Sequence, residues 1–467
     1  MKKELLAVLK IYVLTWGIIA GWFIVRSFSS DLSLSESFDQ LIQLLAYRQF
    51  VIAVHVLFGI LYVLFLLVRY FVRIFKKHGF KRMLKRFFLR LALPVSVFVF
   101  SINYIFNINT SDDYKYNWNH DVENNAALAS DYFKIDGKHR GMSVFGWRDN
   151  TEASISELTK NNIEWVAVIP FLNQKDEQTE IMSAPQNMGH WSRRDSVFIK
   201  SIEMLHKKGV HVMLKPHLWL TSGWRSNLKL KSRKHWNTWF ETYKINMLHY
   251  AQMAEMLDVD LICIGTELRT SIEAQPEQWK QLIKEIRTIY KGQLTYAANW
   301  DGEFDKIDFW DELDFIGIQA YFPLTDHKSP SLNEIMDGWD THITTLDALH
   351  REYDKPILFT EIGYRSDKAS TIKPWEWNSL KNMLKNQKSD RSQQLAYEAM
   401  FNKIWHKKWF AGCYFWQWNI HSSKENAEQS LDFSPRFKPA ENTIAKWYGE
   451  VVKPDAIEWL FQEGNSN

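Results

Sequence analysis

Two glutamates, each placed directly after an apolar run of strand-like composition, are the residues of this sequence best suited to chemistry. Glu267 follows the run 261–266, and Glu361 follows the run 357–360. A carboxylate that ends a buried strand costs desolvation free energy, so its presence there indicates that a site uses it. Two facing carboxylates are the groups that hydrolyse a glycosidic bond: one protonates the leaving oxygen, and the other attacks the anomeric carbon or activates water.

The spacing of the two glutamates supports a shared site. They are 94 residues apart (361 − 267), which corresponds to three strand–helix units of about 31 residues each. We therefore expect both side chains at the same end of one parallel sheet. The alternative is that each glutamate forms a structural ion pair, for example Glu267 with Arg269 or Arg365. Two carboxylates at matching strand ends favour catalysis over that alternative.

Aromatic and polar residues end the other apolar runs, and their types suit a sugar ligand. The sequence contains 22 tryptophans, and 19 of them lie after residue 138. An aromatic ring stacks on the apolar face of a pyranose, while amide, imidazole and hydroxyl groups bind its hydroxyls. The predicted substrate-binding residues are Trp147, His217, Trp219, Asn299, Trp300, Tyr321, Tyr364, Trp416 and Trp418.

The elements that must position these residues are eight short apolar runs, which alternate with amphipathic stretches of helical period. Such runs indicate parallel strands that are buried on both faces. We predict an α/β fold, a (β/α)8 TIM barrel, whose functional residues lie at the C-terminal ends of its strands. An open doubly wound sheet is the alternative, but the sequence lacks its glycine-rich phosphate loop. The runs are 141–147, 165–171, 210–217, 261–268, 294–300, 315–322, 357–364 and 412–418.

Residues 1–106 have a different character and predict a membrane segment. Apolar spans near 5–25, 50–68 and 87–106 are each long enough to cross a bilayer as a helix. A signal peptide is the alternative for the first span. The stretch 69–90 carries nine basic residues and no acidic one, which is typical of a cytoplasmic loop. Three transmembrane helices from an inside N-terminus would place the rest of the chain on the outer, periplasmic or extracellular, side.

The composition excludes several other classes of protein. Lys and Arg exceed Asp and Glu by only three (57 − 54), which disfavours a nucleic-acid partner. Cys263 and Cys413 form no CxxC pattern and lie on opposite sides of the predicted barrel, so we expect two buried free thiols. The sequence has no HExxH, no other metal-ligand spacing and no GxSxG, so we expect no metal, no cofactor and no serine nucleophile.

The predicted organisation is a membrane segment at 1–106, a linker at 107–137, a catalytic barrel domain at 138–450 and a tail at 451–467. The expected partners are a carbohydrate substrate and the lipid bilayer, and the sequence leaves the oligomeric state open. A membrane-embedded transport or biosynthetic subunit with an accessory barrel is an alternative. It would need a polar network in the membrane, where the apolar spans contain only Lys10, His55 and Arg90.

Five motifs, in this order, resemble glycoside hydrolase family 113, which belongs to the large clan of retaining (β/α)8 glycosidases. They are GMSVFGW at 141–147, IGTEL at 264–268, YAANWD at 296–301, GIQAYFP at 317–323 and FTEIGYRS at 359–366. The resemblance covers most of 140–420. It implies a retaining mechanism with Glu267 as acid/base and Glu361 as nucleophile, and β-1,4-mannan-type substrates. It also implies a hydrogen bond from Tyr321 to the nucleophile and a sugar subsite floored by Trp416 or Trp418.

Two features depart from the pattern of the clan. Much of the clan has an asparagine before the acid/base that contacts the sugar 2-hydroxyl, whereas this sequence has Thr266, so the contact is expected from Asn299 or His217. The membrane segment is a second departure, because an enzyme that degrades free polysaccharide does not need one. We therefore expect a membrane-anchored retaining glycoside hydrolase of the β-mannanase type. The alternatives are a glycosidase for another envelope glycan and a catalytically silent, membrane-tethered glycan-binding module.

Overall fold

The structure is a computed structural model that describes residues 2–29, 41–42, 44–45, 48–112, 128–147, 152–182, 191–377 and 379–452. The chain divides into two compact units, Met1–Tyr104 and Ile105–Asn467. The first unit is helical, and the second contains the sheet.

The N-terminal unit consists of long apolar helices. Helix α1 covers Lys2–Ser29, α2 covers Arg48–Phe87, a π-helical turn covers Phe88–Ala92, and α3 covers Leu93–Thr110. Two stretches are long and apolar enough to cross a membrane, Glu4–Val25 and Phe50–Thr110. Length and composition alone are weak evidence for a membrane anchor, since a signal sequence near the N-terminus meets the same criteria.

The prediction of three separate spans is wrong, because the described residues contain two such helices. The expected loop at 69–90 is helical and joins the second and third apolar runs into the single stretch Phe50–Thr110. Lys and Arg make up nine of the 22 residues at 69–90 and are good helix formers, so nothing in its composition requires a loop. Gly79, with φ 73°, is the non-helical residue inside α2.

The second unit contains the predicted barrel, so the eight-stranded α/β fold is confirmed. Its strands are all parallel and close in the order β1-β10-β9-β8-β7-β6-β4-β2. The strands are β1 His139–Phe145, β2 Trp165–Val168, β3 Phe171–Gln174, β4 His211–Leu214, β5 His217–Leu220, β6 Leu261–Thr266, β7 Gln293–Asn299, β8 Phe315–Gln319, β9 Ile357–Ile362 and β10 Phe410–Asn419.

Two of the predicted runs, 165–171 and 210–217, each contain one barrel strand and end on the first residue of a second strand. Strands β3 and β5 pair with each other as a separate parallel ribbon that follows β2 and β4. Pro170 and Pro216 lie at these interruptions. Proline has no N–H to donate to a strand ladder, so each barrel strand ends there and the chain continues as the ribbon.

Helices cover the outside of the barrel and bury one face each. Serine side chains cap several of them; Ser331 and Glu334, for example, form a reciprocal capping box at the start of α10. The helices are α4 Phe133–Asp136, α5 Glu152–Lys160, α6 Trp191–Lys207, α7 Arg233–Met256, α8 Arg269–Ala274, α9 Pro276–Ile289, α10 Leu332–Tyr353, α11 Leu380–Lys385, α12 Asp390–Ile404, α13 Lys424–Gln429 and α14 Pro439–Tyr448.

Both cysteines lie in the buried strands. Cys263 and Cys413 are free thiols with no solvent exposure, so the expectation of two buried free thiols is confirmed. Burial raises the pKa of the Cys413 thiol to about 12 and also raises that of Cys263. Neither thiol is therefore reactive at neutral pH.

A buried arginine ties the start of the barrel to the end of its last helix. Arg140 on β1 forms two hydrogen bonds to the carboxylate of Asp136, at 2.9 and 2.7 Å, and both side chains are fully buried. Its Nε donates to the backbone oxygen of Tyr448 at 2.7 Å, and its Nη2 donates also to the backbone oxygen of Glu450 at 2.8 Å. The guanidinium thus joins three segments that are distant in sequence.

We predict that Arg140→Met destabilises the barrel unit by about 3–5 kcal/mol, because it leaves the carboxylate of Asp136 buried and unpaired. The measurement is the thermal unfolding midpoint of the full-length protein in detergent. Arg351→Met, which removes an exposed ion pair with Asp347 on α10, is the matched control and should change stability by less than about 1 kcal/mol. Equal effects of the two substitutions would contradict the role assigned to Arg140.

Candidate active site

A cavity of about 800 Å³ opens at the C-terminal ends of the barrel strands. Both predicted glutamates line it: Glu267 directly follows β6, and Glu361 lies near the end of β9. The strand register brings these positions to the same end of the barrel, as the spacing of 94 residues (361 − 267) predicts. Six of the nine predicted binding residues also line the cavity, namely His217, Trp219, Asn299, Trp300, Tyr321 and Trp416.

Glu361 is surrounded by hydrogen-bond donors. The ammonium of Lys215 donates to its Oε1 at 2.8 Å, and the hydroxyl of Tyr321 donates to its Oε2 at 2.9 Å. His217 Nε2 lies 3.4 Å from Oε1. Because Glu361 is only 4% exposed, the buried ammonium of Lys215 compensates a carboxylate charge that is largely removed from water.

Lys215 itself is held in a fixed position. Besides the bond to Glu361, its ammonium donates to Gln319 Oε1 at 2.9 Å and to the backbone oxygen of Thr360 at 3.0 Å. Its side chain has no solvent exposure, so three acceptors take up the three protons of the ammonium. Lys215 was not among the predicted site residues, although a lysine at the end of the apolar run 210–217 was the signal that could have identified it.

Glu267 has a different set of partners. Asn299 Nδ2 donates to its Oε1 at 2.9 Å, and Arg225 Nη2 donates to its Oε2 at 2.5 Å. Burial raises the pKa of Glu267, the guanidinium of Arg225 opposes that rise, and the negative charge of Glu361 adds to it. The alternative partners Arg269 and Arg365 are occupied elsewhere, by Asn227 and Asp367 respectively.

The backbone at Glu267 is strained. Its φ of 52° lies in the left-handed region, which costs a non-glycine residue about 1–3 kcal/mol. Hydrogen bonds on both sides hold it there: Ser226 Oγ donates to the backbone oxygen of Glu267 at 2.7 Å, and the N–H of Leu268 donates to the hydroxyl of Tyr296 at 2.7 Å. This conformation turns the Glu267 side chain towards the cavity at the point where β6 has already ended.

A third glutamate, Glu303, was not among the predicted site residues, but it supports the residues that hold Glu267. Glu303 accepts hydrogen bonds from the backbone N–H of Asn299 at 2.8 Å and from the hydroxyl of Tyr296 at 2.6 Å. Burial raises the pKa of Glu303 to about 7. Glu303 does not line the cavity, but it fixes two residues that contact Glu267 or its neighbour.

Three of the predicted binding residues are not brought to this cavity. Trp147 lines an adjoining cavity of about 650 Å³ that shares Phe145, Phe171 and Trp219 with the first. Tyr364 is fully buried and packs against Tyr397 on α12, with ring centroids 5.7 Å apart.

Trp418 is 1% exposed and packs beneath the guanidinium of Arg436. The reason is a one-residue shift in the pairing of β10 with β1, which matches Met142 with Phe415 but Val144 with Trp418. One extra residue in a strand reverses the face on which the following side chains lie. Trp416 therefore lines the cavity, while Trp418 lies in the layer between the barrel and the helices.

The sequence missed several residues of the cavity wall because they lie in loops. Trp224 and Arg225 follow β5, and Trp375 and Trp377 lie between β9 and α11. Loop residues show no periodic pattern, so their types gave no indication of where their side chains lie. The wall also contains Phe145, Phe171, Asp301, Gln417 and Phe433.

The arrangement provides two carboxylates in one cavity with different surroundings. One is paired with a buried ammonium and a tyrosine hydroxyl, and the other has a raised pKa. Such a difference between neighbouring carboxyl groups is what separates an acid from a nucleophile or base in glycoside hydrolysis. Among the residues that the structure describes, no group of three or more His, Cys, Asp or Glu side chains has an arrangement that would hold a metal ion.

Comparison with solved structures supports the fold. A structure of a GH113 β-1,4-mannanase in a complex is 24% identical, with a TM-score of 0.57, over 67% of this chain and 98% of the other. The GH113 β-mannanase from Alicyclobacillus acidocaldarius is also 24% identical, with a TM-score of 0.59, over 68% of this chain and 98% of the other. No curated protein matches the sequence.

Comparison with family models settles the membership. The model of Glycoside Hydrolase Family 113 matches residues 142–438, which is well over half of the chain and contains every strand of the barrel except the first three residues of β1. That range also contains both cavity glutamates and all the aromatic residues of the cavity wall. The resemblance expected from the five sequence motifs is therefore confirmed, and the chain belongs to glycoside hydrolase family 113.

Proposed function

We propose that this protein is a membrane-anchored retaining glycosidase that hydrolyses β-1,4-linked mannan or manno-oligosaccharides. The observation that carries the proposal is the pair of buried carboxylates, Glu267 and Glu361, in one aromatic-lined cavity with unlike hydrogen-bond partners. Membership of a glycoside hydrolase family supports the reaction class. The similar solved structures are those of β-mannanases, which supports the choice of sugar.

In the proposed mechanism, Glu361 attacks the anomeric carbon while Glu267 donates its proton to the leaving oxygen. The C–O bond to the leaving group breaks, and a covalent glycosyl ester forms on Glu361. Glu267, now ionised, then takes a proton from water, which attacks the anomeric carbon and releases the sugar with its β configuration retained. Lys215 and Tyr321 hold the Glu361 carboxylate in position for attack.

The cavity offers groups that suit a pyranose. Trp416 supplies a ring face, and the parallel imidazole of His217 lies 6.2 Å away. The Nε1 of Trp416 and the Nε2 of His217 are buried without a hydrogen-bond partner among the described residues. Burial keeps the pKa of His217 well below its usual value, so the imidazole is neutral at pH 7. Asn299 or His217 takes the contact to the 2-hydroxyl in this proposal.

Membrane anchoring rests on the N-terminal helices. The stretches Glu4–Val25 and Phe50–Thr110 supply the apolar length, and the basic residues at 69–90 favour a cytoplasmic position for that segment. We propose that the catalytic unit lies on the outer side of the membrane, which requires the apolar runs on both sides of this basic segment, within the stretch Phe50–Thr110, to cross the bilayer. A substrate at the membrane surface, such as an envelope glycan or imported oligosaccharide, would explain why the enzyme is anchored.

We predict that the full-length protein in detergent releases a β-configured product from β-1,4-manno-oligosaccharides. The measurement is NMR of the anomeric protons during hydrolysis of a panel of β-linked manno-, gluco-, xylo- and N-acetylhexosamine oligosaccharides. A β product from another sugar would keep the mechanism and replace the substrate. An α product would exclude retention, and binding without turnover would identify a silent glycan-binding module.

The roles of the two glutamates are separable by substitution. We expect Glu361→Gln and Glu267→Gln each to lower kcat on an oligosaccharide by roughly 10²–10⁴-fold. Only Glu267→Gln should form the glycosyl-enzyme rapidly from a dinitrophenyl glycoside, because that leaving group needs no proton. The measurement is the burst of dinitrophenolate. Near-native hydrolysis by Glu361→Gln would show that the assignment of the nucleophile is wrong.

The pH dependence should reveal the proton on Glu267. Its raised pKa allows it to act as an acid, so kcat/KM should fall as the pH rises through that pKa. Arg225 lowers this pKa, so Arg225→Met should move the basic limb of the profile to higher pH. Arg269→Met is the control, because the guanidinium of Arg269 donates to Asn227 and not to Glu267. This substitution should leave the basic limb at the same pH as in the wild type. A shift to lower pH in Arg225→Met would contradict the assignment.

A further inference from the structure

The loop between β9 and α11 carries two tryptophans that both reach the cavity. Trp375 and Trp377 line its wall and are 39% and 53% exposed. A buried guanidinium holds the loop from inside: Arg365 donates to the backbone oxygens of Lys373 and Glu376 and pairs with Asp367 at 2.7 Å. The two exposed rings are therefore presented by a fixed backbone.

Trp377 lies in the part of the cavity wall that surrounds Glu361. Its ring contacts Trp416 and Phe433, with centroid distances of 5.9 and 5.7 Å. Phe433 in turn packs against Tyr321, whose hydroxyl bonds to Glu361. Trp377 thus belongs to the aromatic group around the carboxylate that is proposed to attack the anomeric carbon.

Trp375 lies on the side of Glu267. Its ring packs against Trp300, with centroids 5.0 Å apart and planes tilted by 31°. Trp300 directly follows Asn299, whose side chain donates to Glu267. The pair formed by Trp300 and Trp375 lines the same cavity as Glu267, the residue that is proposed to protonate the leaving oxygen, and adjoins Asn299 in the chain.

The reaction places a different part of the substrate against Trp377 than against the pair formed by Trp300 and Trp375. The sugar that is cleaved must present its anomeric carbon to the nucleophile, and the leaving group must depart on the side of the acid. We propose that Trp300 and Trp375 form a subsite that binds the sugar ring of the leaving group. This inference rests on the proposed function and identifies a determinant of substrate length. A polymer or longer oligosaccharide uses this subsite, whereas a substrate with a small leaving group does not.

The test compares two substrates in two variants of the full-length protein. The substrates are β-1,4-mannotetraose, which places sugar rings on both sides of the cleaved bond, and β-mannobiosyl fluoride, whose leaving group is a single fluoride ion with no ring to bind at this subsite. For Trp375→Ala we expect kcat/KM on mannotetraose to fall by about fivefold or more beyond any fall on the glycosyl fluoride, because the aromatic contact to the leaving sugar is lost. Trp375→Phe, which keeps a ring, should restore most of that difference.

Trp377→Ala is the matched control, since it removes an exposed ring from the same loop two residues away. It should lower kcat/KM on both substrates by similar factors, because the same sugar occupies the nucleophile side in each case. Equal losses on the two substrates in Trp375→Ala, with the wild type active, would overturn this inference and leave the proposed function intact. A wild type that hydrolyses neither substrate would overturn the proposed mannan activity and this inference with it.

Discussion

The desolvation free energy of burying two carboxylates in one cavity determines which residues must surround them at the C-terminal end of this barrel. Removing an ion from water costs several kcal/mol unless an opposite charge and hydrogen bonds replace the solvent. Here each carboxylate has its own cation: Lys215 lies against Glu361, and Arg225 lies against Glu267. Both cations come from the segment that begins at the end of β4 and continues past β5. That one segment therefore neutralises the site, although neither carboxylate belongs to it.

The two carboxylates are neutralised in different ways, and the difference matters for chemistry. Glu361 receives a fully buried ammonium, which is held by two further acceptors, so its negative charge is balanced without solvent. Glu267 lies on a strained backbone, and its guanidinium partner comes from the 3₁₀ turn Arg225–Asn227 in a loop. The buried Glu303 and Tyr296 hold that strained region in place. Rigid support beneath a strained residue keeps its side chain oriented, which is the condition that proton transfer requires.

Departures from regular barrel geometry determine which side chains reach the cavity. Prolines end β2 and β4 early, and the ribbon that follows carries His217 and Trp219 to the cavity wall. One extra residue in β10 separates Trp416 from Trp418 and sends them to opposite faces. The loop after β9 adds two more rings, which a buried arginine fixes in place. The regular strands therefore supply the frame, and their interruptions supply most of the wall.

The sequence alone determined the closed α/β barrel, both cavity glutamates, six wall residues and the family, because buried parallel strands leave a clear apolar pattern and end at predictable positions. It did not determine that the basic stretch 69–90 is helical, since a basic segment between two apolar runs is also the pattern of a cytoplasmic loop. Nor did it show the pairing of Lys215 and Arg225 with the glutamates, the reversal at Trp418, or the approach of Trp375 to Trp300. Each of these depends on contacts between segments distant in sequence or on a one-residue change of register, and neither leaves a local periodic signal. Only the tertiary structure decided them.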